Sequence, residues 1–180
     1  DEACKNYYIV HMGGWKNGKW GILDRNGNFI IEPIFKDDIH YDYCKGMFTY
    51  RESDTYEDIP IGIYDLNEKR VLFKPQFDDV SFLDDGNIIV EIFDKNLGRK
   101  IEKIIDKTGQ EIFKSDYTKI YTWEKPWLAI KENEEYTTYN RIDKYGNILD
   151  SITFRDKVSY LDSAINFEDR TYIYSDNGKF

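Results

Sequence analysis

The feature that most constrains the fold of this chain is an internal repeat of about 40 residues. Four segments share one order of side chains: an apolar pair, an Asp, a short turn, an apolar strand and an aromatic residue. The aspartates are Asp24, Asp65, Asp106 and Asp143, and a partial fifth copy has Ser175 at that place. Their spacings are 41, 41, 37 and 32 residues. A repeat of this length is one supersecondary unit that buries its apolar face by stacking against its neighbours.

The residues after each Asp predict the tip of a β-hairpin. A Gly lies three residues after the Asp or Ser in four copies, as Gly27, Gly109, Gly146 and Gly178. A short hairpin turn needs a left-handed backbone at this point, and an Asp side chain can accept hydrogen bonds from the turn amides. The second copy, Asp65–Glu68, lacks the Gly and is one residue longer, which predicts a longer turn with Asn67 left-handed.

Four aligned columns are apolar or aromatic in every copy, which predicts that they face a core. The columns are Leu23, Tyr64, Ile105, Ile142 and Tyr174; Ile30, Leu72, Ile112 and Leu149; Phe35, Phe77, Tyr117 and Phe154; and Ile39, Val80, Ile120 and Val158. A further β-prone segment ends each copy: Met47–Tyr50, Ile88–Glu91, Trp127–Ile130 and Ala164–Phe167. These patterns predict an all-β chain of tandem antiparallel hairpin or meander repeats, with three or four short strands in each unit.

The repeats predict a single β-repeat domain over residues 1–180. The units run approximately over 18–58, 59–99, 100–136 and 137–170, with a half-unit at 1–17 and a partial unit at 171–180. Such units either fan around an axis like propeller blades or stack as an open curved array. Tyr7–Val10 reads as a closing strand without an opener and Tyr172–Phe180 as an opener without a closing strand. Their pairing would seal a ring, whereas unpaired half-units would indicate a fragment of a longer repeat protein.

Composition excludes several classes of function. The chain has 25 basic and 34 acidic side chains, a net charge of −9, which repels phosphate backbones and argues against nucleic acid. No apolar run approaches the roughly 20 residues that span a bilayer. The chain begins at Asp1 without Met or an apolar leader, so we expect any leader to have been removed already. Cys4 and Cys44 are expected to be ordinary reduced thiols, and a bacterial cytoplasmic location is slightly favoured over secretion.

No sequence pattern predicts a catalytic or metal site. Asp24–Asn28 superficially resembles the start of a calcium loop, but Thr108 and Tyr145 replace Asn26 in other copies, which favours plain hairpin turns. His40 and Cys44 are close in sequence, which does not establish the spatial arrangement that catalysis requires. With only His11 and His40 present, a zinc site built on imidazole is not expected.

Pairs of carboxylates are the remaining candidates for chemistry. They occur at Asp37–Asp38, Asp78–Asp79 and Asp84–Asp85. Acid and base roles would require burial to separate their pKa values, and two of the pairs occupy the same repeat position. We therefore predict that they are solvated turn caps and that the chain is not an enzyme and needs no cofactor or metal.

The first repeat resembles a known family. The segment Gly18–Asn28, followed by Ile31–Phe35 and Asp37–Asp38, resembles the bacterial WG-repeat family, whose units run roughly GKWGxIDxxG, then IxPxYDD, then GxxxV. The second repeat keeps several of these positions but has Ile61 in place of the Trp, and later repeats keep only the Asp, the turn Gly and the core columns. The resemblance implies a β-repeat scaffold without a common enzymatic activity. It also implies scaffold roles for Trp20, Gly21, Asp24, Gly27, Pro33 and Phe35.

These observations predict a non-catalytic binding module. The first hypothesis is a protein partner, favoured by a wide repeat surface, by many rings and by an acidic charge that would steer a basic partner, as in an immunity or inhibitor protein. The second is carbohydrate binding through rings outside the core columns. The candidate binding residues are Tyr41, Tyr43, Trp123, Tyr136, Tyr139, Asp84 and Asp85.

Overall fold

A computed structural model describes most of the chain. The described residues are 7–14, 17–36, 40–42, 46–52, 60–123, 125–155, 165–166 and 171–172, and the backbone alone is described at 40–42, 165–166 and 171–172. Every regular element in these ranges is a β-strand, which confirms the predicted all-β class. The same ranges contain no helix of the length and apolarity needed to cross a membrane.

Ten strands form the first three antiparallel sheets. The first sheet has the order β1-β2-β3, the second β4-β5-β6-β7, and the third β10-β9-β8. The strands are β1 (Tyr7–Met12), β2 (Lys19–Asp24), β3 (Phe29–Phe35), β4 (His40–Asp42), β5 (Met47–Tyr50), β6 (Ile61–Asp65), β7 (Arg70–Phe77), β8 (Asp79–Phe82), β9 (Ile88–Asp94) and β10 (Arg99–Ile105).

Six strands form the other two sheets. A four-stranded sheet has the order β11-β12-β13-β14, and β15 pairs with β16. Their bounds are β11 (Lys119–Tyr121), β12 (Trp127–Glu132), β13 (Tyr136–Ile142), β14 (Ile148–Arg155), β15 (Ile165–Asn166) and β16 (Thr171–Tyr172). Each described sheet has two edge strands, so none of them is a closed barrel. The choice between a propeller and an open array stays a prediction.

The sheets are offset from the sequence repeats by about half a unit. The closing strands β4 and β5 of the first repeat pair with the opening hairpin β6–β7 of the second. β1 likewise pairs with β2, which confirms that the segment from Tyr7 is a closing strand. Consecutive repeats are therefore joined by backbone hydrogen bonds as well as by packing.

The chain folds into two compact units. The first comprises residues 1–92 and 105–110, and the second comprises residues 93–104 and 111–180. Each unit has its own apolar core.

Most of the predicted core columns are buried. The aromatic column is buried in all four repeats, at Phe35, Phe77, Tyr117 and Phe154. Of the column directly before the Asp, Leu23 is half-buried, Tyr64, Ile105 and Ile142 are buried, and Tyr174 lies outside the described residues. In the fourth column Ile120 is buried and Val80 half-buried, while Ile39 and Val158 lie outside the described residues.

The prediction for Leu149 is wrong. Ile30, Leu72 and Ile112 of the same column are half-buried, whereas Leu149 is 60% exposed. On β14, Asp150 pairs with Arg141 and Ile148 pairs with Ile142, so Leu149 is the extra residue of a β-bulge. A bulged residue on an edge strand leaves the alternation of faces and points to solvent.

The second repeat supplies a middle layer in the first unit. Side chains at successive strand positions point to opposite faces. On β6, Tyr64 packs in one core cluster with Ile22, Ile31 and Phe35 of the first repeat. Its neighbour Ile63 packs in a second cluster with Ile88, Val90 and Ile105. Strand β6 is consequently buried along its whole length.

Candidate binding surface

The aspartate side chains of the hairpin tips accept hydrogen bonds from amides of their own turns. In the first tip the Asp24 Oδ1 atom accepts hydrogen bonds from the backbone N–H groups of Asn26 (2.8 Å) and Asn28 (2.9 Å). The Asp24 Oδ2 atom accepts from the Asn28 side-chain amide at 3.1 Å. These donors, with the Asn28 N–H contributing most, hold the pKa of Asp24 below its ordinary value. The arrangement is a turn cap, as predicted.

Two later tips repeat this cap. Asp106 accepts from the N–H groups of Thr108 and Gln110, and Asp143 from those of Tyr145 and Asn147. A side-chain hydrogen bond, from Thr108 in one tip and Asn147 in the other, is the largest cause that lowers the pKa of each aspartate. Positive φ angles occur at Gly27, Gly109 and Gly146, which confirms the prediction for these three glycines, and Gly178 lies outside the described residues.

The second tip differs from the others, and one prediction about it is wrong. The turn is longer, as expected, but the left-handed residue is Lys69 (φ 50°) and not Asn67. The Asp65 Oδ1 atom accepts from the N–H groups of Asn67 and Glu68, and the chain reverses at the last turn residue. The turn after Asp94 has the same design, with Gly98 in the left-handed position (φ 63°).

Asp65 is also the one tip aspartate whose side chain is fully buried, at 0% exposure. The Lys107 ammonium group, from the tip of the third repeat, donates to its Oδ2 atom at 2.7 Å. Burial alone would raise the pKa of Asp65, but the hydrogen bonds from Lys107 and from the Glu68 and Asn67 amides outweigh it and lower the pKa. This ion pair joins two consecutive repeats and is a structural contact.

The glycine of the Trp-Gly pair permits a close approach of two strands. A Cβ atom on Gly21 would lie 2.7 Å from the Ile31 carbonyl oxygen and 2.9 Å from the Pro33 nitrogen. Trp20 pairs with Phe35 and Ile22 pairs with Ile31, so three residues of β3 bulge opposite this single glycine. Pro33 lies within that bulge, which is a place where a strand tolerates proline. These positions shape the scaffold, as the resemblance implies.

The acidic pairs lie on exposed turns and at an edge. Asp85 caps its own turn, since its Oδ1 atom accepts from the Asn87 N–H at 3.0 Å. The Asp79 Oδ1 atom accepts from the Val80 N–H at 2.9 Å. Asp84 is exposed in the same turn as Asp85, and Asp37–Asp38 lies outside the described residues. Within the described ranges, no three His, Cys, Asp or Glu side chains are grouped so as to hold a metal ion.

The hairpin β8–β9 has carboxylates at both of its ends, with Asp84 and Asp85 in its turn and Asp79 and Glu91 at the open end. Residues 78–91 contain five acidic residues and no Lys or Arg. Asp79 of the edge strand β8 lies directly opposite Glu91 of β9. Strand β8 is an edge strand, so these acidic side chains lie at a sheet edge. We name residues 78–91 the acidic hairpin.

The ring candidates separate into exposed and buried residues. Trp123 is 68% exposed and contacts the Tyr121 ring at a centroid distance of 4.3 Å. Tyr136 is exposed at the start of β13. Tyr41 lies on β4, where only the backbone is described, and Tyr43 lies outside the described residues.

The prediction that Tyr139 is a binding residue is wrong, because its ring lies in the core. It is 2% exposed and packs with Ile130 and Phe154 on one face of the four-stranded sheet. It occupies the column of Trp20, four residues before the Asp, where Glu102 and Ile61 are also buried. The third repeat thus has a buried carboxylate in this column, and its Oε2 atom accepts from the Ile120 N–H at 2.6 Å.

Sequence reasoning missed an exposed apolar face on the first sheet. Tyr8 pairs with Leu23, and Leu23 pairs with Phe29, so these three side chains form one row across the sheet. Tyr8 and Phe29 are exposed. The alternation of strand β1 was a usable signal, because Tyr8 and Met12 share one face while Tyr7 and Ile9 share the other.

A family model described as "WG containing repeat" matches residues 20–56 and 104–136. The first match covers nearly all of the first repeat, and the second covers the third repeat from residue 104 to its end. The match confirms the resemblance and extends it to the third repeat, where the motif had lost its Trp-Gly pair and its Pro. No curated protein and no solved structure matches the chain.

Proposed function

We propose that this chain of WG-containing repeats is a non-catalytic binding module whose partner is a basic protein. The repeats form a β-repeat module, and the carboxylates of their tips are used as turn caps. The observation that carries the proposal is the acidic hairpin, in which Asp79 and Glu91 lie opposite each other on a rigid strand pair at a sheet edge. Basic side chains of a partner could approach these carboxylates from the side of the edge strand β8.

Charge complementarity defines the chemistry of the partner. The acidic hairpin lies in a chain of net charge −9, so local and overall fields attract the same kind of surface. Lys or Arg side chains presented on a partner would pair with the carboxylates, and association would be electrostatically steered. An immunity or inhibitor protein that covers a basic toxin is one role of this kind.

The test uses two variants with the same net charge. The first, Asp79→Asn/Asp84→Asn/Glu91→Gln, removes three of the five negative charges of the acidic hairpin. The control, Glu32→Gln/Glu134→Gln/Glu135→Gln, neutralises three exposed carboxylates elsewhere. Cytochrome c serves as a small basic probe, and its affinity is measured by calorimetry at increasing salt concentrations.

We expect the wild-type chain to bind at low ionic strength, with an affinity that falls as salt screens the charges. The two variants lose the same net charge, but only the hairpin variant loses carboxylates at the proposed surface. It should therefore lose about tenfold more affinity than the control. Equal losses in the two variants would show that only net charge matters and would contradict the proposed surface. Absence of binding would leave edge protection as the role of these charges.

Carbohydrate binding is the second candidate, and Trp123 is the observation that favours it. Its exposed ring is held against Tyr121, so it is a flat apolar surface on which a sugar face could stack. Trp123→Ala should abolish any signal of the wild-type chain on a glycan array, whereas Tyr145→Ala, at another exposed ring, should not. A wild-type chain without signal above background would remove this candidate.

A further inference from the structure

Strands β8 and β11 are edge strands that occupy the same position in consecutive repeats. Strand β8 lies at the edge of the third sheet, beside β9, and β11 lies at the edge of the four-stranded sheet, beside β12. Each contains a residue of the fourth core column, Val80 in β8 and Ile120 in β11. The edge of a sheet presents backbone N–H and C=O groups to which a strand of another molecule can add.

The pairing of β8 with β9 directs the amide of Val80 away from the sheet. Leu83 continues the register of these strands and donates its N–H to the Asn87 carbonyl oxygen at 2.9 Å. In an antiparallel pair, residues that bond to the neighbouring strand alternate with residues whose N–H and C=O groups point the other way. Val80 lies three residues before Leu83, so its N–H points to the edge.

Strand β11 begins in the same way as β8. The residue before each strand donates its N–H across the sheet, Asp78 to the Glu91 carbonyl oxygen at 2.8 Å and Thr118 to the Ile130 carbonyl oxygen at 2.7 Å. Glu91 and Ile130 are also the register partners of the first residue of each strand. Two residues thus oppose one at the start of both strands, which is a β-bulge. The two edge amides are therefore in equivalent positions.

A carboxylate accepts a hydrogen bond from each of these edge amides. In β8 the Asp79 Oδ1 atom accepts from the Val80 N–H at 2.9 Å. In β11 the Glu102 Oε2 atom accepts from the Ile120 N–H at 2.6 Å. Asp79 directly precedes the amide that it caps, whereas Glu102 comes from β10. The same amide is thus capped in both repeats by carboxylates from different places in the chain.

The capping carboxylate alternates between two positions of the repeat. At the position of Asp79 the third repeat has Lys119, whose ammonium group can only donate. At the position of Glu102 the second repeat has Ile61, which has no polar side-chain atom. Lys119 instead forms an ion pair with the Glu102 Oε1 atom. Each of these two repeats therefore has, at these two positions, one carboxylate for its edge amide.

We propose that these carboxylates protect the edges of β8 and β11 from strand addition, and that Asp79 prevents β8 of a second copy from pairing with β8. Glu102 is buried, whereas Asp79 and Ser81 are exposed, so β8 is the edge that another molecule can approach. A second β8 strand would have to displace the Asp79 carboxylate from the Val80 amide. It would also bring a like charge to the same edge, which opposes the pairing.

This role is independent of the proposed partner protein. Binding of a basic partner depends on the charge of the acidic hairpin, whereas protection of the edge depends on an acceptor oxygen beside the Val80 amide. Asp79→Asn separates the two roles, because the side-chain carbonyl of Asn can accept the same hydrogen bond without a charge. Asp79→Ala removes both the acceptor and the charge.

Hydrogen exchange and sedimentation of the full chain test the proposal. In Asp79→Ala we expect the Val80 amide to exchange at least about tenfold faster than in the wild-type chain. This variant should also self-associate at concentrations at which the wild-type chain does not. Asp79→Asn should stay close to the wild-type chain in both measurements. Asp79 is exposed, so unchanged thermal unfolding verifies that both variants fold.

Glu134→Ala is the control for charge, because it removes one carboxylate from the exposed turn between β12 and β13. It should leave the Val80 exchange and the sedimentation unchanged. An Asp79→Ala variant that remains as dispersed as the wild-type chain would overturn the proposal, and so would unchanged exchange of its Val80 amide. Equal self-association of Asp79→Asn and Asp79→Ala would also overturn it, because charge and not the hydrogen bond would then protect the edge.

Discussion

The first and second repeats place the same hairpin in different surroundings. Strand β2 is buried on the face of Ile22 and half-exposed on the face of Leu23, whereas the equivalent strand β6 is buried on both faces. The tip aspartates differ in the same way, since Asp24 is half-exposed and Asp65 is buried against Lys107. The local sequence determines the shape of each hairpin. The position of the repeat determines how deeply its residues are buried and therefore how much they stabilise the fold.

The largest expected difference in stability is between substitutions of Tyr8 and Phe48, the cross-strand partners of Leu23 and Tyr64. Phe48→Ala removes a ring of 0% exposure that stacks on Tyr64 with centroids 5.0 Å apart. We expect it to lower the free energy of unfolding by about 3–5 kcal/mol. Tyr8→Ala, at the equivalent exposed position, should cost less than about 1 kcal/mol. Urea denaturation of dilute protein measures both, and similar losses would contradict the equivalence.

The tip aspartates should show a smaller difference of the same sign. Asp65→Asn leaves the Lys107 ammonium group without its carboxylate, and breaking a buried ion pair is costly. Because Lys107 is itself partly exposed, we expect a loss of about 2 kcal/mol in the free energy of unfolding. Asp24→Asn keeps an acceptor oxygen in a solvated turn and should cost much less. If Asp65→Asn in a Lys107→Met background costs as much as in the wild-type chain, the pair is not coupled.

Acid should act on the same pair. The folded-state pKa of Asp65 is lowered, so its contribution to stability is present above its ordinary pKa of 3.8 and is lost as pH falls through the lower folded value. The thermal midpoint of the wild-type chain should therefore fall below about pH 4. The Asp65→Asn variant should show a shallower decline over the same range. Parallel pH profiles of the two proteins would argue against an ionised Asp65 in the folded state.

The smallest expected effect is at the left-handed residue of each tip. Lys69 has a left-handed backbone, which costs a residue with a side chain about 1–2 kcal/mol. Lys69→Gly relieves this cost but raises the conformational entropy of the unfolded chain, so we expect a net stabilisation of about 0.5 kcal/mol. Gly27→Ala should have the opposite sign, with a loss of about 1 kcal/mol. Chemical denaturation of both variants checks the two signs. Destabilisation by Lys69→Gly would indicate that the Lys69 side chain has a packing role.

Local features of the fold could be predicted from the sequence. The turns at Gly27, Gly109 and Gly146 follow from residues three positions apart, and the aromatic column from Phe35 to Phe154 follows from a repeated pattern. Both depend on short-range chemistry that a repeat displays several times. The prediction for Leu149 failed because a β-bulge moves one residue to the other face of the strand while the repeated sequence pattern stays the same.

Features of the candidate surface depended on contacts between repeats and were harder to predict. Lys107 reaches Asp65 from 42 residues away, and no local signal pairs them. Tyr139 and Trp123 are both aromatic residues outside the predicted core columns, yet one is buried and the other exposed. The exposure of Tyr8 and Phe29 depends on which face of the first sheet packs against another sheet, which no local pattern shows.

We place the second repeat as the middle layer of the first unit, between two core clusters. Native-state hydrogen exchange tests it directly, because amides exchange through local opening wherever packing is weaker. The amides of β6 (Ile61–Asp65) should be the slowest of the first two hairpins, and those of β2 (Lys19–Asp24) should exchange at least about tenfold faster. Equal protection in β2 and β6, or slower exchange in β2, would contradict the account.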